Sequence, residues 1–459
     1  MEDTAIIVMA AGKGKRMKSN SPKILHHLAG KPILSYILKT INKVEAKKRI
    51  FVIGYKTEKI KELIGKGEEI EFVEQAEPLG TAHAVLQTKS CLSDFKGDVL
   101  ILSGDVPLLT VQTLKKLLRS HKLKRYNCTL TSSILEDPRG YGRIIRDEKG
   151  RITGIVEEVD LPEEKRGIKE VNGGVYCFNK NDLFRALEKI VPNNQQKEYY
   201  LTDTVKILLA EGLEVGSLMV EDPSEIWGIN NRVDLAKATE RVYQRVSESL
   251  MLQGVTIIDP SSTFIEEGVK IGQDTVIYPF SMIQKDTKIG KNCQIGPYSQ
   301  LINSKIGEGV RVWASIVEES RIGEGAHIGP YAHLRPGSEI KKGVRIGNFV
   351  EVKKSTVGEG SKAAHLTYLG DALIGKGVNI GAGTITCNYD GEKKNKTIIE
   401  DEVFIGSNNS LVAPVKIGRR AYTGAGSAIT EDVPAESLAI ARSRQRNIVG
   451  WKRKKKEEK

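Results

Sequence analysis

A glycine-rich segment near the start of the chain is the first place where residue types and spacing indicate chemistry. Gly12 and Gly14 follow the apolar run at residues 6–9, which predicts a buried first strand. Glycines allow a tight turn and let backbone N–H groups approach a phosphate closely. Arg16 and Lys23 add two cations suited to a triphosphate, the first as a planar fork and the second as a point charge. The segment therefore predicts a polyphosphate-binding loop.

Two better-known phosphate-binding loops do not fit this segment. A P-loop and a dinucleotide-binding fingerprint both need a small residue where Met17 stands. The dinucleotide fingerprint also needs an acid at the end of the second strand, but residues 51–53 run into Gly54. The remaining alternative is an ordinary strand-to-helix turn, which pairs of glycines often mark. The two cations favour the phosphate loop over that turn.

A carboxylate after another buried run is a candidate metal ligand. Ser103, Gly104 and Asp105 directly follow the predicted strand at residues 99–102. Ligands of open α/β sheets bind at the carboxyl ends of the strands, so Asp105 is placed to meet a metal ion. A polyphosphate carries negative charge on crowded oxygens, and Mg²⁺ held by one or two protein oxygens neutralises it. The alternative interpretation of Asp105 is a helix cap or turn residue.

Composition restricts the class of protein. The 459 residues are too many for one core and predict two or three domains. Charged residues make up 28% and hydrophobic residues 39%, as in soluble globular proteins, and no apolar run approaches the length of a membrane span. The five scattered cysteines include no CxxC pair, which predicts free thiols in a reducing cytoplasm and no structural zinc.

The charge balance indicates anionic partners. The net charge of +12 suits nucleic acid, but the basic residues are dispersed and only 6% of residues are aromatic. The basic run at residues 452–456 is interpreted as a solvated terminus. We therefore expect small anionic substrates rather than nucleic acid or a membrane surface.

The first half of the chain alternates strand-like and helix-like patterns, which is typical of a mainly parallel α/β sheet. Residues 231–253 then carry apolar side chains at helical spacing as far as Gly254, which predicts a long amphipathic connecting helix. The predicted strands cover residues 6–9, 50–53, 99–102, 129–134 and 175–178, and the predicted helices include 33–44 and 82–88.

The second half is built from pairs of an aliphatic residue and a glycine, such as Ile271-Gly272 and Ile289-Gly290, at multiples of six residues. This period is typical of a hexapeptide β-helix, a three-sided coil of about 18 residues. The aliphatic side chain packs inside, and the glycine allows the turn to the next face. We expect about ten coils between residues 256 and 440. A solenoid can be only a scaffold, so the repeat alone does not define a function.

The repeat is interrupted at two places. Its phase slips around residues 363–371, and residues 386–396 must form a loop outside the coil. Insertions in a solenoid usually lie on the binding face, whereas a neutral surface loop is the alternative.

The two halves together resemble one family. The start Ala-Ala-Gly-Lys-Gly-x-Arg-Met with Pro22-Lys23 is similar to the sugar-nucleotide pyrophosphorylases. Residues 365–371 and 379–391 resemble the matching acetyltransferase. The fusion resembles the bacterial bifunctional UDP-N-acetylglucosamine pyrophosphorylase and glucosamine-1-phosphate N-acetyltransferase family over nearly the whole chain. Met9 and Lys15 stand where leucine and threonine are frequent, and neither change is expected to remove function.

This resemblance implies a Rossmann-like α/β uridylyltransferase domain at residues 1–230, a helical linker at 231–253 and a left-handed hexapeptide β-helix acetyltransferase at 254–459. The implied reactions are N-acetylation of glucosamine-1-phosphate by acetyl-CoA, then uridylyl transfer from UTP with release of pyrophosphate. Positioning and charge neutralisation carry the second reaction without a protein nucleophile. The resemblance also implies Mg²⁺, a cytoplasmic homotrimer, and a supply of precursors for peptidoglycan and lipopolysaccharide.

The resemblance assigns roles in the uridylyltransferase half. Arg16 and Lys23 are its catalytic cations, and Asp105 and Asn230 are its metal ligands. The implied nucleotide- and sugar-binding residues are Ala10, Ala11, Gly12, Gly14, Lys23, Gln75, Gly80, Thr81, Ser103, Gly104, Asp105, Gly142, Glu157, Asn172 and Asn230.

In the acetyltransferase half, a base must remove a proton from the sugar amine, and a histidine suits that role near pH 7. A lone histidine is more often structural, but the motif around His365 favours the base. Arg442 stands beside Arg444 and Arg446, so a solvated basic cluster is its alternative role. The implied sugar-phosphate residues are Arg335, Lys353, Tyr368 and Asn379, and the implied acetyl-CoA residues are Ala382, Asn388, Tyr389, Ser407, Ala425 and Arg442.

Two other functions remain open from the residues alone. One is a different sugar-1-phosphate nucleotidylyltransferase whose β-helix serves only assembly, which the presence of His365, Arg335 and Lys353 disfavours. The other is a non-catalytic binding subunit, which the complete glycine loop with Asp105 and Asn230 disfavours.

Overall fold

The computed structural model describes residues 3–12, 14–54, 57–65 and 70–451. The chain divides into two compact units, Met1–Val242 and Tyr243–Lys459. Each unit has hydrophobic clusters of its own. In the described part of the chain, no helix is long and apolar enough to cross a membrane. The basic run at residues 452–456 lies outside the described residues.

A nine-stranded sheet forms the centre of the first unit, with a separate two-stranded ribbon of β2 and β3. The strands are β1 (Thr4–Met9), β2 (His27–Leu28), β3 (Lys31–Pro32), β4 (Lys48–Ile53), β5 (Ile70–Glu74), β6 (Asp98–Ser103), β7 (Cys128–Ile134), β8 (Arg143–Arg146), β9 (Ile152–Val156), β10 (Glu170–Asn179) and β11 (Val215–Met219). The helices are α1 (Ile33–Ile41), α2 (Thr57–Ile64), α3 (Thr81–Leu86), α4 (Val111–Lys124), α5 (Lys180–Leu187) and α6 (Asp203–Ala210).

The main path of this sheet runs in the order β11, β7, β10, β6, β1, β4, β5. Strand β1 lies parallel between β4 and β6, and β4 and β5 as well as β7 and β11 also pair in parallel. Strand β10 runs antiparallel to both β6 and β7. The predicted mainly parallel sheet is therefore confirmed along its main path, with the antiparallel strand β10 in its middle. Strands β8 and β9 add antiparallel pairs off that path.

All five predicted strands are present, and each extends beyond its predicted bounds. The prediction missed β5, β8, β9 and β11, which mix polar and apolar residues and have only partly buried sequences. It also missed the two-residue strands β2 and β3. The helix predicted over residues 33–44 ends at Ile41, and the one over 82–88 spans Thr81–Leu86. The connecting helix is α7 (Arg232–Met251), and the division between the two units falls inside it.

The second unit is a three-sided parallel β-helix. Its first face consists of Thr256–Ile257, Val276–Ile277, Gln294–Ile295, Arg311–Val312, His327–Ile328, Asn379–Ile380, Phe404–Ile405, Tyr422–Thr423 and Leu438–Ala439. The second face consists of Phe264–Ile265, Met282–Gln284, Gln300–Ile302, Ile316–Glu318, His333–Leu334, Ile385–Cys387, Ser410–Val412 and Ala428–Ile429. The third face consists of Lys270–Ile271, Lys288–Ile289, Lys305–Ile306, Arg321–Ile322, Glu339–Ile340, Thr356–Val357, Ala372–Ile374, Thr397–Ile399 and Val415–Ile417. Two longer strands, Arg345–Lys353 and Lys362–Gly370, contribute to both the first and the second face.

The predicted inward packing of the aliphatic residues is confirmed. Ile271, Ile289 and Ile306 follow exposed lysines on the third face and are buried in one continuous cluster. The nine strands of that face agree with about ten coils. Coil length varies more than predicted, because the step along the chain from Lys305 to its partner Arg321 is shorter than the step from Lys270 to its partner Lys288.

The first of the two predicted interruptions of the repeat does not break the coil. Around residues 363–371 the chain stays in the coil as the nine-residue strand Lys362–Gly370, and the corner is made by Leu366 at a φ of 46°. The second interruption is confirmed on the third face, where Thr356 pairs with Leu373 but Leu373 pairs with Ile398, a much longer step along the chain. The added residues form a loop between Cys387 and Thr397.

Candidate active sites

The glycine loop follows the carboxyl end of β1, in the middle of the sheet. Ala10 N donates to Val52 O at 2.8 Å, which holds the start of the loop against β4. Gly14 has a φ of 63°, and a Cβ there would lie 2.6 Å from Cβ of Lys23. Only glycine lets the loop pass so close to Lys23. Gly12, in contrast, has no heavy atom near its Cβ position, so its open side faces the cleft.

The cations of the glycine-rich region, Arg16 and Lys23, contact oxygen atoms of two side chains that are distant in the sequence, Asp105 and Asn230. The Lys23 ammonium forms an ion pair with the Asp105 carboxylate and donates to Asn230 Oδ1 at 3.3 Å. Arg16 Nη2 donates to the same Asn230 Oδ1 at 3.0 Å. Four of the predicted residues therefore converge on one point at the edge of the sheet.

Asp105 is ionised in this setting. Burial raises its pKa, but the Lys23 ammonium, together with the Ser103 hydroxyl that donates to Asp105 Oδ1 at 2.5 Å, outweighs burial and lowers the pKa overall. A carboxylate held in its charged form is the state that a divalent cation or a lysine needs.

Asn230 is positioned by the start of α7. Ile229 N donates to the backbone oxygen of Asp105 at 2.9 Å, which fixes this segment beside the strand end. Asn231 Oδ1 accepts from Asp234 N at 3.0 Å, and Asp234 Oδ2 accepts from Asn230 N at 2.9 Å. This reciprocal cap stabilises the helix start and orients the Asn230 side chain.

A cleft of about 270 Å³ extends from this cluster to the predicted uridine-binding residues. Gln75 Nε2 donates to Gly80 O at 3.0 Å and contacts His83 Nδ1 at 3.1 Å. Gly80 has a φ of 122°, and a Cβ there would lie 2.4 Å from Tyr199 O. The cleft is lined by Met9, Ala10, Ala11, Gly12, Lys23, Ile24, Gln75, Pro78, Gly80, Thr81, Ala84, Ser103, Asp105 and Glu198. Gly104 lies directly against the loop, since its N–H donates to Met9 O at 2.9 Å.

The three residues predicted for the sugar form a separate group outside the lining of that cleft. Asn172 N donates to Gly142 O at 2.9 Å, and a Cβ on Gly142 would lie 3.3 Å from Glu157 Oε2. Thr202 Oγ1 donates to Glu157 Oε1 at 2.9 Å. Burial, together with nearby Asp203, raises the pKa of Glu157.

Sequence reasoning missed Tyr141, which links the sugar group to the metal-ligand candidates. The Tyr141 hydroxyl accepts from Gly228 N at 3.4 Å. Burial, and to a smaller extent the charges of Asp234 and Asp105, raise the pKa of this hydroxyl. The Gly-Tyr-Gly-Arg sequence at 140–143 draws attention only to its glycine, and a tyrosine beside it carries no signal of its own.

In the second unit, several predicted sugar-phosphate residues share the second face. Arg335 Nη1 donates to Glu351 Oε1 at 2.8 Å, and Glu351 pairs in register with Tyr368. Asn388 Nδ2 donates to Asp371 Oδ2 at 2.5 Å and to the Tyr368 hydroxyl at 3.5 Å. The inserted loop therefore begins beside the predicted sugar contact.

Lys394 was not predicted, although it lies in that inserted loop. Its ammonium lies beside that of Lys353, and this neighbour lowers the pKa of Lys394, with nearby Asp371 acting in the opposite direction. Two adjacent ammonium groups repel each other and favour an anion between them. The sequence feature that could have identified Lys394 is a lysine-rich loop at a break in the repeat.

His365 lies at the corner between the first and second faces. Its side chain is exposed and has no hydrogen-bonding partner among the described residues. Asn379 lies on the first face, paired with Lys362, and is therefore not part of the cluster on the second face. Ala382, Ser407 and Ala425 lie in successive coils at one corner, because Asn408 N donates to Ala382 O at 2.7 Å and Gly426 N donates to Ser407 O at 2.8 Å. Tyr389 and Arg442 are exposed.

The two units match two kinds of transferase. Residues 5–227 match the nucleotidyl transferase family. Residues 268–303 and 319–354 match the bacterial transferase hexapeptide family, and residues 396–431 match the hexapeptide repeat of succinyl-transferase. The fold and the sites thus define a nucleotidyltransferase joined to a hexapeptide-repeat transferase.

Relatives of the whole chain share this arrangement. The chain is 48% identical to the bifunctional protein GlmU of Carboxydothermus hydrogenoformans, over 96% of this chain and 98% of that protein. It is 49% identical to GlmU of Caldanaerobacter subterraneus, over 98% of each chain, and 47% identical to GlmU of Listeria monocytogenes, over 97% of each. The chain belongs to the GlmU family of bifunctional proteins, and the predicted resemblance is confirmed. It is an enzyme with a uridylyltransferase and an acetyltransferase activity.

Proposed function

We propose that the second unit transfers an acetyl group from acetyl-CoA to the amine of glucosamine-1-phosphate, and that the first unit then transfers a uridylyl group from UTP to the product. The observation that carries the proposal is the presence of two separate cation clusters. Lys23 and Arg16 meet at Asn230, and Arg335, Lys353 and Lys394 line the second face and its loop. Each cluster suits a phosphorylated substrate.

In the uridylyl reaction, the cations Arg16 and Lys23 hold the triphosphate over the glycine loop. Asp105 and Asn230 both offer an oxygen to the point now held by the Lys23 ammonium, so this oxygen donor pair fits a hard cation such as Mg²⁺. When bound, Mg²⁺ neutralises charge on the phosphate oxygens. The sugar phosphate oxygen attacks the α-phosphorus, and pyrophosphate leaves from the opposite side.

The remaining residues of the first unit orient the substrates. Gln75, Gly80 and Thr81 present amide, carbonyl and hydroxyl groups to the uracil, and Gly142, Glu157 and Asn172 surround the sugar and its N-acetyl group. The backbone of Ala10, Ala11, Gly12, Gly14, Ser103 and Gly104 faces the nucleotide. Gly80 supports this proposal because its left-handed conformation brings the Tyr199 backbone against the cleft wall.

In the acetyl reaction, His365 removes the proton from the attacking amine, and the CoA thiolate leaves. Arg335, Lys353 and Lys394 bind the sugar phosphate. Tyr368 binds the sugar from the second face, and Asn379 contacts it from the first face, across the corner that carries His365. Acetyl-CoA lies along the corner marked by Ala382, Ser407 and Ala425, with Asn388, Tyr389 and Arg442 as further contacts. The exposure of His365 supports its access to a substrate.

We also propose the domain limits as residues 1–230, a linker at 231–253, and residues 254–459. The linker contributes to the second core, because Leu250 is buried in the same cluster as Val255 and Ile257. The substrates are small molecules in the cytoplasm, with no nucleic acid and no membrane as partner.

A homotrimer is proposed from one row of side chains, named here the corner ridge. The ridge joins the first and second faces and consists of Phe280, Tyr298, Ala314, Tyr331, Phe349 and Leu366, all with positive φ. Tyr331 and Phe349 stack at 5.4 Å and are 62% and 58% exposed. Bulky residues rarely adopt positive φ, and a row of exposed aromatic side chains marks an interface. Packing against neighbouring copies would cover it.

The trimer is tested by sedimentation velocity. The double variant Tyr331→Ser and Phe349→Ser is expected to dissociate, since it removes the stacked pair. Leu373→Ser is the matched control, because Leu373 is 52% exposed on the third face. A trimeric double variant, or a dissociated control, would show that the corner ridge is not the interface.

The function is tested by offering UTP, CTP, ATP and dTTP with glucosamine-1-phosphate, N-acetylglucosamine-1-phosphate and glucose-1-phosphate. Pyrophosphate and CoA thiol are measured together. We expect thiol release with glucosamine-1-phosphate, and pyrophosphate release with UTP and the acetylated sugar phosphate. Pyrophosphate release with another sugar phosphate, without thiol release, would favour a nucleotidylyltransferase with a non-catalytic β-helix.

A further inference from the structure

A second group of possible metal ligands lies at the opposite end of β6 from the proposed uridylyl site. Asp98 begins β6, Cys177 lies in β10, and His121 lies in α4. Their ligand atoms are all within 4.8 Å of one another. Within the described residues they are the one group of three histidine, cysteine or acidic side chains with this property. The sheet and helix therefore bring an oxygen, a nitrogen and a sulfur ligand together.

The three side chains point to one place. Leu100 pairs with Cys177 and Asp98 pairs with Asn179, so the Asp98 and Cys177 side chains project from the same surface of the sheet. Helix α4 covers that surface and carries His121, whose side chain is 3% exposed. Cys177 is fully buried, and the Asp98 side chain is 18% exposed.

The spacing suits a tetrahedral ion better than a direct hydrogen bond. His121 Nε2 lies 3.5 Å from Asp98 Oδ1, which is at the long limit of a hydrogen bond. Zinc bonds of about 2.0–2.2 Å to nitrogen and oxygen place two tetrahedral ligands roughly 3.4 Å apart. The three ligand atoms lie within 4.8 Å of one another. The Cys177 sulfur therefore needs to move by only about 1 Å to reach the usual Zn–S bond length.

A fourth residue orients the histidine. Thr129 Oγ1 lies 2.9 Å from His121 Nδ1, and both atoms are buried. When Nδ1–H donates to this hydroxyl, the lone pair of Nε2 faces Asp98 and Cys177. Zinc-bound histidines are commonly fixed by such a bond from the other ring nitrogen.

We propose that Asp98, His121 and Cys177 bind a zinc ion, with Thr129 as the positioning residue for His121. The ion would join α4 to β6 and β10, and because the chain supplies three ligands, a water would take the fourth tetrahedral position. It is separate from the proposed Mg²⁺ site, because β6 places roughly 17 Å between Asp98 and Ser103 at about 3.3–3.4 Å per residue. The absence of a CxxC pair predicted no structural zinc, but ligands drawn from three distant elements leave no spacing signal in a sequence.

The experiment uses the full chain without an affinity tag. The protein is stripped with a chelator, then titrated separately with Zn²⁺ and, without oxygen, with Co²⁺. We expect one zinc per chain by elemental analysis, a higher melting temperature in zinc, and a thiolate-to-cobalt charge-transfer band. Cys177→Ala should lose the band and the zinc-dependent shift, and Thr129→Val should weaken zinc binding by about 10- to 100-fold.

Cys128→Ala is the matched control. Cys128 is also buried, on the neighbouring strand β7, but it packs in a different hydrophobic cluster from Cys177. It should keep the cobalt band. If Cys177→Ala does not fold, His121→Gln replaces it. No stoichiometric zinc in the wild type, or a cobalt band that survives both Cys177→Ala and His121→Gln, overturns the proposal.

Discussion

Replacement of Asp105 by asparagine tests the proposed uridylyl site with the smallest change of shape. Asparagine keeps an oxygen for Ser103, which donates at 2.5 Å, but it removes the negative charge. The Lys23 ammonium then keeps only the neutral Asn230 oxygen at 3.3 Å. The side chains of Lys23 and Asp105 are only 12% and 19% exposed, so solvent replaces the lost partner poorly.

The size of the effect has two parts. A hydrogen bond to a charged group contributes about 1.5–3 kcal/mol. Its loss lowers the population of correctly aligned Lys23 by roughly 10- to 100-fold. Loss of a group that stabilises charge in the transition state costs about 10²–10³ in turnover. The two parts share the same atoms and do not add fully. We therefore expect uridylyl turnover to fall by at least about 10², and acetyl transfer to stay nearly unchanged.

The assay follows pyrophosphate release across a Mg²⁺ titration, with CoA thiol release from the same preparation. Ser103→Ala should give a smaller loss, because it removes only the bond that orients Asp105. Asp94→Asn, an exposed acid before the same strand, should behave as wild type. Near-normal turnover of Asp105→Asn at low Mg²⁺ would refute the role of this carboxylate.

Three further predictions concern His365, Gly80 and the charge of Asp105. His365→Ala should lower acetyl turnover by about 10²–10⁴, with acetyl-CoA affinity unchanged; a loss below about threefold would move the base elsewhere. Gly80→Ala should raise KM for UTP more than it lowers kcat, because its Cβ would lie 2.4 Å from Tyr199 O; equal KM in both proteins would contradict this. The pKa of Asp105 is lowered on folding, so its stabilisation is present above the unfolded carboxyl pKa of about 3.9 and is lost as pH falls below it. Hydrogen exchange of residues 98–105 should therefore differ between wild type and Asp105→Asn at neutral pH, and the difference should shrink as pH falls below the unfolded carboxyl pKa of about 3.9; a constant difference would argue against an ionised Asp105.

Local patterns in the sequence were sufficient for the parts of the fold that repeat or that bury a continuous run. The strand ending at Met9 is apolar on both faces, and the isoleucines of the third face recur at a nearly constant interval. The glycine loop was predictable because Gly14 has a positive φ, a backbone conformation that favours glycine at that position. Such features depend on neighbours in the chain.

Features that depend on distant contacts were not predictable in this way. Strand β8 is four residues long and is stabilised by pairing with β9 and β10, which its own sequence does not reveal. Tyr141 and Lys394 gain importance only from Gly228 and Lys353, which the fold brings beside them. The phase slip at Lys362–Gly370 was predicted, because the step from Arg345 to its partner Lys362 is one residue shorter than the step from Lys270 to Lys288. That the slip is accommodated within one continuous strand was not predictable, because the interior of that strand lacks the aliphatic-glycine pair.

The two cation clusters differ in how their charges are balanced before an anion binds. In the first unit, the Lys23 charge is already balanced by Asp105, whose pKa is lowered, so a triphosphate must take over contacts that the protein makes with itself. In the second unit, the Lys353 and Lys394 ammonium groups lie side by side, and the pKa of Lys394 is lowered by their repulsion. A phosphate there relieves the repulsion between Lys353 and Lys394, while Arg335 of the same cluster must exchange its ion pair with Glu351 for the phosphate. Under the proposed function, a divalent cation balances Asp105 once the Lys23 ammonium turns to the triphosphate.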